Sequence, residues 1–213
     1  MLAGGATRRV FKMQPNMQAK MQRKKAGSVR IIGGQWRGRR LPVPNVASLR
    51  PSGDRSRETL FNWLQPYLRM ARCVDLFAGT GVLGLEAVSR GAASAVLVEQ
   101  SHPAAAALCS SVELLKAEQV AVVEGEALAW LAGQAPASID IAFVDPPFGT
   151  ALAAAALQTL VESKALRPGG LVYLESARSE TGLPAGPAWE LLKEKLIGEV
   201  RMRLLRKPPA MPN

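Results

Sequence analysis

Cys73-Val-Asp-Leu-Phe-Ala-Gly-Thr-Gly-Val-Leu-Gly84 decides the fold of this 213-residue chain. Its first part, Cys73–Phe77, reads as a strand with a carboxylate, Asp75, near its carboxyl end. Glycines then turn the backbone tightly, and Val82–Arg90 continues as a helix that Gly91 stops. Strand, close turn and helix in that order open an α/β unit that can hold a nucleoside-type ligand.

Outward from this stretch the alternation repeats. Ala95–Glu99 reads as the second strand, and Ser101-His102-Pro103 opens a helix with a cap and a first-turn proline. Val120–Glu124 is the third strand, Leu128–Ala132 a short helix and Ile139–Val144 the fourth strand. Ala151–Ala165 reads as a helix ended by Pro168-Gly169-Gly170, and Leu171–Glu175 as the fifth strand. Glu190–Lys195 and Glu199–Leu205, on either side of Gly198, form a closing antiparallel pair. Upstream, Leu60, Phe61, Leu64 and Leu68 recur at helical spacing in Arg55–Leu68, with Asp54 as its cap and Trp63 as packing. The expected class is therefore α/β, with a Rossmann-like, doubly wound and mostly parallel sheet of seven strands. Right-handed crossovers place the loops after strands one to four on one edge, where ligands bind. The glycine turn, Glu99, Glu126 and Asp145 all fall in those loops.

Asp145-Pro-Pro-Phe148, directly after the fourth strand, carries the chemistry. An exocyclic amine on a base is a poor nucleophile, because its lone pair is delocalised into the ring. Asp145 and the carbonyl of Pro146 can accept its two N–H bonds and favour the tetrahedral nitrogen needed for attack. Proline holds that carbonyl on target because its φ is set by the ring, and Pro147 stiffens the same turn. Phe148 offers a face on which a flat base can stack. The bland alternative is a proline-stiffened turn with Asp as turn former.

The glycine turn is compatible with two cofactors. Gly79-Thr-Gly81-Val-Leu-Gly84 matches G-x-G-x-x-G, with Glu99 about twenty residues on to hold a ribose, as in NAD-binding domains. Asp75 favours S-adenosylmethionine instead: a carboxylate there suits an amino-acid ammonium and repels a pyrophosphate. Glu126 can accept an adenine amino group while Ala127 and Leu128 pack on the ring. For Asp75 a capping or buried hydrogen-bonding role competes, and for Glu126 plain exposure at a helix start.

Charge adds a partner. The chain has 27 Lys and Arg against 17 Asp and Glu, a net +10. Its first 53 residues contain no acid and twelve of the basic residues. Such a segment follows a phosphate backbone by counterion release. Alternatively it is a solubilising leader, with Met13, Met17 and Met21 as later starts, or an organelle presequence. The expected organisation is a basic disordered arm over 1–28, a β-hairpin extension over 29–49, the main domain over 50–207 and a tail over 208–213. Trp36, among the hairpin arginines, either stacks on RNA or pins the hairpin to the core. No apolar stretch reaches the roughly 18–20 residues of a membrane span. Cys73 and Cys109 fit no metal or redox spacing, so they read as reduced core thiols in a cytoplasmic protein without a metal. His102, the single histidine, reads as a surface residue near the ribose pocket.

With these residues in view, the chain resembles class I S-adenosylmethionine-dependent methyltransferases that carry an (Asp/Asn)-Pro-Pro-(aromatic) motif. More narrowly it resembles the RsmD-type enzymes, which methylate N2 of a guanine in small-subunit (16S) ribosomal RNA. The narrow resemblance rests on Arg30-Ile-Ile-Gly-Gly-Gln-Trp-Arg-Gly-Arg-Arg-Leu-Pro-Val-Pro44 and Leu49-Arg-Pro-Ser-Gly-Asp-Arg-Ser-Arg-Glu-Thr-Leu-Phe-Asn62. The resemblance implies guanine 966 as the target and Asp145, Pro146, Pro147 and Phe148 as catalytic. It implies Phe77, Gly79, Gly81, Glu99 and Glu126 as cofactor contacts, to which the reading of the residues themselves adds Asp75 and Ala127. Arg37, Arg39, Arg40, Arg50 and Arg57 would contact RNA, with Asp54 bordering the site. A monomer acting on an assembled or partly assembled subunit is expected. Glu126 departs from the Asp or Asn usual in the family. Competing readings are a DNA or protein-glutamine amino-methyltransferase, a NAD-linked oxidoreductase, and a ribosome-assembly protein that binds RNA without turnover.

Overall fold

The computed structural model describes residues 27–43, 53–182 and 189–208. A two-stranded antiparallel sheet comes first, β1 (Ser28–Arg30) paired with β2 (Arg40–Pro42). Helix α1 (Asp54–Leu68) leads into β3 (Arg72–Asp75), and α2 (Val82–Ser89) follows the glycine turn. Then come β4 (Ser94–Glu99), α3 (His102–Leu115), β5 (Val120–Glu124), α4 (Ala127–Ala132) and β6 (Ile139–Val144). Helix α5 (Leu152–Glu162), β7 (Leu166–Ala177), β8 (Glu190–Ile197) and β9 (Val200–Arg206) complete the chain. The large sheet runs β5-β4-β3-β6-β7-β9-β8. Its first five strands are parallel, and β9 enters antiparallel between β7 and β8. This is the doubly wound, mostly parallel seven-stranded sheet expected from the alternation.

Period-two alternation sends successive side chains to two separate cores. Cys73, Phe143 and Tyr173 face the layer of α1, α2 and α3. Val74, Ala142, Val144 and Leu174 face α4 and α5. Winding reverses between β3 and β6, so a crevice opens beyond their carboxyl ends.

The hairpin belongs to the first core: Val29, Ile31 and Leu41 are buried there, and Trp36 packs half-buried against it. That matches the pinning reading of Trp36. Its strands are only three residues long, and the segment between them docks on the carboxyl end of α2. The Gln35 N–H donates to the Ser89 carbonyl at 2.8 Å, and Ser89 Oγ donates to the Gly33 carbonyl at 2.6 Å. Gly34 has φ +77°, and a Cβ there would lie 1.8 Å from the Ser89 carbonyl oxygen. Close approach, more than turning, requires glycine at that position.

Two details differ from the pattern reading. Asp54 opens α1 without capping it; Gly53 occupies the cap position, and Asp54 pairs with Arg57 at 2.5 Å and Arg30 at 3.1 Å. Pro168-Gly169-Gly170 does not end α5, which stops at Glu162. It lies inside β7, where the register with β6 shifts between Ile139 and Ile141. A bulge there absorbs the extra residues while Ala165 and Leu166 stay buried. Of the expected segments, residues 1–26, 44–52 and 209–213 lie outside the described residues; these hold most of the arm, the end of the extension with Arg50 just beyond it, and most of the tail.

Candidate active site

A cleft of ≈ 830 Å³ opens along the carboxyl ends of β3, β4, β5, β6 and β7. Asp75, Phe77, Gly79, Glu99, Glu126 and Ala127 line one part of it. Asp145, Pro146, Pro147 and Phe148 line the adjoining part. Of the expected cofactor and clamp residues, Gly81 alone is not a wall of the cleft; it works from beneath, where its φ of +71° lets the turn enter α2. A Cβ at Gly81 would meet Leu108 at 2.4 Å.

Asp75 is the most perturbed group in the first part. Its Oδ2 accepts the Gly84 N–H at 3.3 Å, one of the orphan donors at the start of α2. Its Oδ1 is buried without a hydrogen-bond partner among the described residues. Burial pushes the carboxyl up to about 7, the Gly84 and Phe77 N–H groups oppose this, and the charges of Glu99 and Glu175 add to it. The capping role weighed for Asp75 is thus real, and it leaves one carboxylate oxygen free to accept a further donor. Glu99 ties two loops together: Oε2 accepts the Gly79 N–H at 2.9 Å, and Oε1 accepts the Ser101 N–H at 2.8 Å. Each oxygen keeps a second lone pair for a hydroxyl. Glu126 stands exposed at the N-cap of α4 with no side-chain cap bond, beside buried Ala127. Three carboxylates, those of Asp75, Glu99 and Glu126, therefore follow one another along the wall. This donor-seeking set fits an amino-acid nucleoside better than a dinucleotide, whose pyrophosphate would face Asp75.

In the adjoining part Asp145 is half-buried, Pro146 buried, and Phe148 46% exposed at the mouth. An exposed ring beside a concave carboxylate is a ready stacking platform. Sequence reading missed Tyr173 and Glu175 on β7. Glu175 lines this part of the cleft and is buried, and Tyr173 O–H donates to its Oε1. Burial raises Glu175 and the Tyr173 O–H draws it back, while Tyr173 is held well above 10 by burial, Glu175 and Asp145. The missed signal was an acid closing an apolar strand, the same sign that marks Asp75 and Glu99. Gly53 and Ser56, at the start of α1, close the cleft from above.

Residues 29–206 match the family described as Conserved hypothetical protein 95. The ribosomal RNA small subunit methyltransferase D of Escherichia coli (strain K12) is 47% identical over 183 residues, 85% of this chain and 91% of that protein. The protein of the same name from Haemophilus influenzae is 44% identical, over 84% of this chain and 93% of its own. The chain belongs to this family. A solved candidate methyltransferase from Escherichia coli superposes with a TM-score of 0.79 at 42% identity, covering 85% of this chain and 99% of that one.

The family's basic motifs land in different places. Arg57 does not reach the cleft as a substrate contact, because its side chain is fully buried. It donates to Glu86 Oε2 at 2.7 Å and to the Arg30 carbonyl at 2.8 Å, tying hairpin, α1 and α2 together. Arg37, Arg39 and Arg40 are exposed. Arg39 donates to the Leu114 carbonyl at 3.2 Å, at the carboxyl end of α3. Helix α3 starts at the cleft edge, and its 14 residues carry that end roughly 20 Å away. Arg37 and Arg39 thus flank the opposite edge of the sheet. Arg40 is nearer, on the strand paired with Arg30. His102 is exposed, with Nδ1 2.9 Å from Glu124 Oε2. Cys73 is a buried core thiol, but Cys109 is exposed on α3 and not in the core. Among the described residues no cluster of His, Cys, Asp and Glu could hold a metal, and no helix is long and apolar enough to cross a membrane.

Proposed function

We propose that this chain methylates the exocyclic N2 amine of a guanine in small-subunit ribosomal RNA, with S-adenosylmethionine as donor. The observation that carries this reading is the continuity of one cleft: the unpartnered Asp75 oxygen and the Asp145-Pro-Pro-Phe148 turn line the same cavity. The relatives' name, ribosomal RNA small subunit methyltransferase D, supports the substrate class.

Asp75 takes the ammonium of the donor, Glu99 its ribose hydroxyls and Glu126 its adenine amine. The bound donor supplies a sulfonium methyl. Asp145 and the Pro146 carbonyl accept the two N–H bonds of the guanine amine, which pyramidalises the nitrogen and frees its lone pair. Phe148 stacks on the extruded base and shields it from water. As the N–C bond forms, the S–C bond breaks and its electron pair stays on sulfur as a neutral thioether. The nitrogen then sheds one proton, which Asp145 accepts and returns to water. Positioning is the main source of rate here. The reaction belongs where ribosomal subunits assemble, in the cytoplasm.

Asp145→Ala tests the clamp. Single-turnover transfer should slow at least ~100-fold while equilibrium binding of S-adenosylmethionine stays within about twofold. Transfer at the wild-type rate would remove Asp145 from the chemistry.

A further inference from the structure

Glu175 has no place in the clamp as described, yet the fold aims it there. β6 and β7 are parallel neighbours in register Val144↔Leu174, so Asp145 and Glu175 occupy the next step on adjacent strands. Pleating turns side chains at the same register step toward the same side of the sheet. Both residues line the cleft, with Ser56 and Phe148. Glu175 is 5% exposed and has no ion-pair partner among the described residues. Its neighbour two residues back is Tyr173, wholly buried and with its ring 6.4 Å from that of Phe143. The Tyr173 hydroxyl donates to Oε1 and so immobilises the carboxylate. A buried acid held in one orientation at a cleft wall, without a cation, asks for a ligand donor.

Guanine supplies that donor. Its Watson–Crick edge presents N1–H directly beside the N2 amine, so two adjacent acceptors match it. Adenine and cytosine each present a bare ring nitrogen beside their amine, whose lone pair a carboxylate would oppose. We infer that Glu175 accepts the guanine N1–H while Asp145 holds the N2 amine, so that Glu175 sets the base selectivity of the site. The inference rests on the proposed guanine-N2 methylation. A site built to bond a donor rejects an analogue that lacks it far more strongly than shape alone would.

The test compares guanine with 2,6-diaminopurine, which keeps the N2 amine but replaces N1–H by an acceptor. Small subunits are reconstituted with either base at the nucleotide that wild-type protein labels, and kcat/KM is measured on both. Glu175→Gln can turn its amide N–H toward the N1 acceptor. The guanine preference of the wild-type protein should fall at least ~10-fold in Glu175→Gln, with S-adenosylmethionine binding within about twofold of wild type. An unchanged preference in a variant that binds the cofactor overturns the role of Glu175 and leaves the proposed reaction standing. Absence of label from both subunits with the wild-type protein overturns the reaction and the inference together.

Discussion

At Asp75 the requirements of folding and of function oppose each other. Its carboxyl is buried and lifted to about 7, against 3.8 for the free group. A folded-state pKa above the unfolded one means that the native state holds its proton more tightly. The stabilising contribution is complete below 3.8 and is lost as pH rises through about 7. Wild type should therefore lose stability from pH 5 to pH 8 relative to Asp75→Asn, which cannot ionise. The difference in Tm should move in favour of the variant by at least about 2 °C over that interval. The same variant should bind S-adenosylmethionine at least ~10-fold more weakly, because the ammonium loses its counter-charge. A Tm difference independent of pH would show that Asp75 is not the titrating group.

Elements explain what the sequence could and could not disclose. The near-continuous apolar runs gave Ile139–Val144 and Val120–Glu124 with correct bounds, because each strand meets core on both faces. The carboxyl-edge acids were legible for the same reason: Asp75, Glu99 and Asp145 break or close apolar runs. Glu175 carries that sign too and was passed over, its strand having been read without its flanking loop. Arg57 was illegible, since an arginine in a basic motif looks like a phosphate contact until Glu86 is seen across from it at 2.7 Å. Those two residues come from different helices, and no local pattern joins them. The place of the hairpin was equally hidden, because docking on Ser89 is a long-range contact. This geometry sets Arg37 and Arg39 apart from the cleft and leaves Arg40 nearer to it, on the strand paired with Arg30. Replacing all three with Ala should weaken binding to small subunits and flatten its log–log salt slope by about 2–3. The kcat at saturating subunit should stay within about twofold. A slope as steep as wild type would move the phosphate contacts off the hairpin.

On the scale of the molecule, charge and chemistry are segregated along the chain. The first 53 residues carry twelve basic residues and no acid, while the remainder is close to neutral, with Asp75, Glu99, Glu126, Asp145, Glu175 and Glu199 lining the cleft. A nearly neutral catalytic body does not pull in nucleic acid by itself, and a basic segment does not read bases. Together they suit a large folded RNA whose target base is presented to Phe148 and Asp145 while phosphates are held elsewhere. The measurement that tests this account most directly is transfer of labelled methyl from S-adenosylmethionine to small subunits lacking the modification, followed by nucleoside analysis of the RNA. The account predicts label in N2-methylguanosine of the subunit RNA. Label in another nucleoside, or in DNA or protein with none in the subunit, would contradict it.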